Sequence, residues 1–178
     1  MKKLVLFALL FFAGAAYAAK STGYSPSLFH VLEQLRHSVG MVVLIGEDGK
    51  AQPQKPFVGG FEVGMGGAPG EFFLLIPYFR HLARVSDVQL MLKDKSPVVR
   101  VMAAYLIRTD DGDLKNLPLD LLANDKTVLD VAAGGCVIEE LTVAEVVKRI
   151  KESPDYFGER WYQRYLAEEL IQKEKANQ

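Results

Sequence analysis

LMLKDKSPVVRVMAAYLI, residues 90–107, and LLANDKTVLDVAAGGCVI, residues 121–138, decide how this chain is read, because the second lies over the first at a shift of about thirty residues. Leu90, Asp94, Lys95, Ser96 and Ile107 fall on Leu121, Asp125, Lys126, Thr127 and Ile138. A shift shorter by one aligns Val99-Arg100 better, with Leu129-Asp130. In the first stretch Ser96-Pro97 marks a helix start, since the N–H that proline lacks would have had no partner at that position. The run from Val98 to Ile107 continues that helix, and a shorter one before it carries Val88, Leu90, Met91 and Leu92, with Ser86 as its cap. Asp110-Asp111-Gly112-Asp113 is a turn. The repeat then predicts a second pair, a short helix over 117–123 and a longer one over 127–138.

The run Asp94-Lys95-Ser96-Pro97-Val98-Val99-Arg100, followed by Ala103-Ala104 and Ile107, resembles the second-helix signature of HEAT repeats. The resemblance covers Glu71 to Ile138. It implies an all-α fold, a short right-handed α-α superhelix of stacked helix pairs, closed at its ends by helices over 28–39, 71–83 and 156–174. It also implies a broad surface for binding another protein and little catalytic chemistry. In the second copy Asp130 stands where an arginine is usual, so the side-chain ladder of long stacks is not expected to continue. Ala103, Ala104, Gly134 and Gly135 are assigned to the contact between helices, where small residues let the axes approach. A third copy, from Asp155 through Trp161 to Leu166, is weak.

Upstream, MKKLVLFALLFFAGAAYA (1–18) places Lys2 and Lys3 before an apolar run and ends in Ala16-Tyr17-Ala18. That order is the pattern of a secretory signal peptide, and the run is short for a membrane span of roughly 20 residues. The expected organisation is a signal peptide over 1–18, a flexible lead-in over 19–27 and one domain over 28–178, in a periplasmic or secreted protein without stable membrane insertion. Loss of the two lysines moves the formal charge from −1 to −3. That balance does not suit a nucleic-acid binder, which clusters Lys and Arg. The one cysteine, Cys136, allows no intramolecular disulfide and, set among Val131, Ala132, Ala133, Val137 and Ile138, reads as a small core residue.

Between the lead-in and the repeat, Leu28, Val31, Leu32, Leu35 and Val39 mark one helix face, capped by Ser27 and ended by Gly40. Met41 to Ile45 is β-favouring and Glu47-Asp48-Gly49 is a turn signal, but two prolines in KAQPQKPF disfavour a central strand. A loose hairpin or an extended excursion is expected. Six glycines between Gly59 and Gly70 indicate a loop of unusual backbone angles. Residues 71–82 are apolar enough for a buried helix, which Pro77 should kink or break. Thr142 and Glu145 form a capping box for Val143–Ile150, and Ser153-Pro154-Asp155 separates that helix from the last.

Chemistry is sparse. Gly64 to Gly70 has Pro69 where a dinucleotide fingerprint needs glycine, and Glu71-Phe72 where a phosphate loop needs Lys-Ser/Thr. Asp110, Asp111 and Asp113 lack the distant glutamate of a calcium loop, and His30, His37 and His81 have no companions at metal spacing. No nucleophile elbow is present, so no catalytic residue, cofactor or metal is assigned. The candidate partner-binding residues are Tyr105 and Arg108, on the outward side of the best repeat helix, and Trp161 and Tyr162 on the last helix, where Phe157, Trp161 and Tyr165 form a stripe that reads first as packing against the preceding helix. Tryptophan and tyrosine are enriched in binding hot spots. The expected function is extracytoplasmic protein binding. An immunity or inhibitor protein against an exported toxin or wall enzyme, or an envelope hydrolase using the glycine-rich loop as a substrate lip, are the alternatives.

Overall fold

Ser96 stands in an extended conformation and Pro97 opens a helix, α4, that runs to Thr109. Every residue from Pro97 to Ile107 is buried except Arg100, which is half-buried. A helix apolar all round needs neighbours all round, and α4 has them. The computed structural model describes residues 23–39, 54–63, 67–135 and 137–176, with backbone alone for 169–176. Around α4 lie α1 (Pro26–Arg36), α2 (Glu71–Leu82), α3 (Val85–Met91) and α5 (Val143–Glu152), with two 3₁₀ turns at Asp113–Asn116 and Leu119–Leu122. The last helix, α6, spans Glu159–Ala176. The expected signal peptide, Met41–Ile45 with its turn, Gly64–Gly66 and Cys136 lie outside the described residues.

The fold is mostly helical but not all-α. Three strands, β1 (Phe57–Gly59), β2 (Val128–Ala132) and β3 (Glu139–Thr142), form a sheet in that order, β1 parallel and β3 antiparallel to β2. The helix expected over 127–138 is therefore a strand and a loop. The physical reason lies in the residues: Leu129 and Val131 turn inward while Val128 and Asp130 turn outward, the two-residue alternation of a half-buried strand. Gly134 and Gly135 are not at a helix contact either. Both are exposed in the loop before β3, and Gly135 has φ +73°, a conformation that glycine adopts without strain. Two adjacent glycines inside a helix would instead cost roughly 2 kcal/mol relative to alanines.

Ala103 and Ala104 are fully buried, and α3 with α4 forms the one expected helix pair found here. The Asp-Lys-Ser/Thr element does recur as structure. The Asp94 carboxylate accepts the Ser96 N–H at 2.9 Å, and Asp125 accepts the Thr127 N–H at 3.0 Å. Each also holds a guanidinium, Asp94 that of Arg36 and Asp125 that of Arg100 at 2.6 Å. The repeat is thus a repeated turn, leading into a helix the first time and a strand the second.

Other details moved as well, α1 ending at Arg36 rather than at Gly40 and the last helix starting at Glu159. Ser25 and Pro26, not Ser27, start α1, because proline again takes the first helical position. Arg84 precedes α3 in place of Ser86. α2 runs through Pro77, whose ring is exposed. Thr142 and Glu145 form the expected capping box on α5.

Candidate functional site

Gly158, at φ +79°, turns the chain out of the core and into α6. Just before it, Phe157 is fully buried against Phe72, Tyr105 and Tyr156, with ring centroids 4.9 to 5.4 Å apart. Its carbonyl accepts the Phe61 N–H at 3.0 Å, which ties the glycine-rich segment to the base of α6. Asp155 accepts the Arg160 N–H at 2.6 Å and so satisfies one of the unpaired donors at the helix start. A buried plug, a backbone tie and a capped start fix the direction in which α6 leaves the body.

On that base sits a polar cluster. Glu159 Oε2 accepts the Tyr105 O–H at 2.8 Å and Arg80 Nη2 at 2.7 Å, and the same guanidinium nitrogen donates to Thr109 Oγ1 at 2.9 Å. These groups, with Asp155, Arg160 and Gln163, line a cleft of about 220 Å³. Burial, and then the bond to Glu159, push the Tyr105 hydroxyl far above its ordinary pKa. A phenol held neutral in this way donates a hydrogen bond; it is not poised as a general base at neutral pH. Tyr105 is only 1 % exposed. Its expected place on an outward face is corrected, since α4 is enclosed by helices and sheet and has no outward face before Arg108. Arg108 is exposed.

The other two sequence candidates lie together on α6. Tyr162 is half-buried, with its ring 4.7 Å from Phe61 and 5.5 Å from Phe73, so it packs rather than presents. Trp161 lies 5.0 Å from Phe61 but is 47 % exposed, and it stacks on the equally exposed Tyr165 at 5.7 Å with planes 10° apart. No side chain from Glu159 to Glu168 is buried. Sequence reasoning missed Phe61, Arg80 and Glu159. Phe61 followed two glycines in a segment read as loop, and the other two carried no local signal.

The base of α6 thus carries an aromatic ledge, Trp161 and Tyr165, and on another side of the helix a notch that holds the Arg80–Glu159 pair. Among the described residues no cluster of three metal-ligating side chains occurs, and no helix is long and apolar enough to cross a membrane. Comparison with protein-family models, curated proteins and solved structures found no match.

Proposed function

We propose that this chain is an exported protein-binding domain that takes its partner on the first two turns of α6. The observation that carries this reading is the stacked, half-exposed pair Trp161 and Tyr165, with Trp161 resting on Phe61. Large rigid rings with a fixed base lose little conformational freedom on binding, and arginine and aromatic side chains together are the usual composition of an interface centre. Arg80 and Glu159 are paired with each other and Tyr105 is held neutral, a composition that suits recognition. Export rests on the order of charge, apolar run and small residues in 1–18.

Capture from an envelope extract tests the reading. The tagged chain should retain a protein at stoichiometric level, and the double variant Trp161→Ala, Tyr165→Ala should lose it with its circular dichroism and melting point unchanged. Truncation of a central aromatic costs about 2 kcal/mol or more of binding energy, a loss of at least roughly thirtyfold in affinity. Undiminished capture by the double variant would rule out this face. The export claim has its own readout: the N-terminus of the exported product should begin at Ala19.

A further inference from the structure

A second surface, remote in sequence from α6, has a different chemistry. Between α1 and the turn that joins α3 to α4 opens a groove of about 600 Å³, floored by Tyr24 and Leu90, walled by Arg36 and Asp94, and rimmed by Lys93 and Lys95. Its acids are already engaged. Arg36 pairs with both Glu33 and Asp94, and Asp94 also accepts the Tyr24 O–H at 2.9 Å and the Ser96 N–H at 2.9 Å. The lysines are not. Both are exposed, and among the described residues neither has a carboxylate within ion-pairing distance.

The repeated turn extends this rim. Arg100 Nη1 donates to the Asp94 carbonyl at 2.6 Å and the Lys95 carbonyl at 3.0 Å, while its Nε donates to Asp125 at 2.6 Å. One guanidinium therefore ties the 94–96 turn to the 125–127 turn. The second turn carries Lys126, also exposed and without an ion pair among the described residues. Asp125 is neutralised by Arg100, so each turn presents its lysine and hides its acid. Within the groove lining Arg36, Lys93 and Lys95 stand against Glu33 and Asp94, which leaves one positive charge in excess, above a floor where Leu90 is 37 % exposed.

We propose that this groove binds an extended acidic peptide segment of a partner protein, with one large apolar side chain seated between Tyr24 and Leu90 and flanking carboxylates on Lys93 and Lys95. The assignment is independent of the α6 face. Charge complementarity selects the acidic ligand, and the apolar floor distinguishes it from a purely ionic one.

The test is fluorescence anisotropy of the full chain with a labelled peptide of Asp and Glu residues around a single leucine. Saturable binding is expected, weakening as salt is raised. The double variant Lys93→Glu, Lys95→Glu should bind at least roughly tenfold more weakly. Lys148→Glu, the same kind of charge change on α5, should bind as the parent does. Leu90→Asn should weaken the leucine peptide and leave a glycine-substituted peptide unaffected, which separates seating from bulk electrostatics. Equal affinity for the charge-reversed variant, or equal binding of a lysine-for-acid peptide, would overturn the proposal. So would binding confined to vesicles containing phosphatidylglycerol, which would assign the rim to an anionic lipid surface.

Discussion

Asp87 is a carboxylate 1 % exposed with no basic side chain paired to it among the described residues. It is held instead by hydrogen bonds, from the Ser25 N–H at 2.8 Å, the Ser25 hydroxyl at 2.9 Å and the Arg84 N–H at 3.0 Å. One side chain thus ties the start of α1 to the start of α3. Asp87→Ala would strip both backbone donors of their partner, and the expected loss is about 2–3 kcal/mol in a urea melt, with a smaller loss for Asp87→Asn. Glycines differ as sharply by position. A Cβ on Gly60 would stand 2.1 Å from the Ala133 carbonyl oxygen, whereas one on Gly134 meets nothing within 4 Å. Gly60→Ala should therefore cost roughly 2–4 kcal/mol and Gly134→Ala less than about 0.5, measured side by side. The glycine-rich composition predicted special backbone at 59–70. Which glycine lies against another strand depends on a chain segment seventy residues away, and no local pattern carries that.

At the scale of elements, the two Asp-Lys-Ser/Thr turns show where sequence similarity stops carrying structure. Their hydrogen bonds are the same, because an aspartate two residues before the accepted N–H closes the turn whichever element the chain enters next. The residues beyond each turn differ. Pro97 and an unbroken run of apolar residues continue as α4, while Val128-Leu129-Asp130-Val131 alternates and becomes β2. The alternation and the Gly134-Gly135 pair were legible in the chain, but the repeat register pointed the other way. The turns also set a pH dependence. Burial works against the charge on Asp94, yet bonds from Arg36, Ser96 and Tyr24 outweigh it and hold its carboxyl below the usual range. Asp125 is likewise held low, with burial opposed by Thr127 and Arg100. For a carboxyl depressed in the folded state, the stabilisation is complete above about pH 4 and is lost as pH falls through the folded pKa. Urea melts between about pH 2 and 7 should show this acid limb, flatter in Asp94→Asn than in the parent. An identical limb in that variant would place the acid sensitivity elsewhere.

The whole molecule is organised around α4, with helices on several sides and a small sheet where a second helix pair was expected. This explains which parts of the site the sequence revealed. The four-residue spacing of Phe157, Trp161 and Tyr165 was visible as composition, but Phe157 is buried ahead of α6 while Trp161 and Tyr165 are exposed, so the stripe is not the packing face expected of it. Tyr105 looked outward only because a stacked repeat has an outer face, and the enclosed α4 has none there. The Arg80–Glu159–Tyr105 cluster joins three separate elements, which local patterns do not encode. Recognition through the exposed face of Trp161 underlies the proposed function, and Trp161 is the chain's one tryptophan. Acrylamide quenching of its fluorescence reads that face alone in the free chain, and in the complex once the signal of the partner alone is subtracted. Ready quenching is expected in the free chain, with protection and a blue-shifted emission in the complex. Quenching that is already weak in the free chain, or unchanged in the complex, would contradict a recognition role for this face.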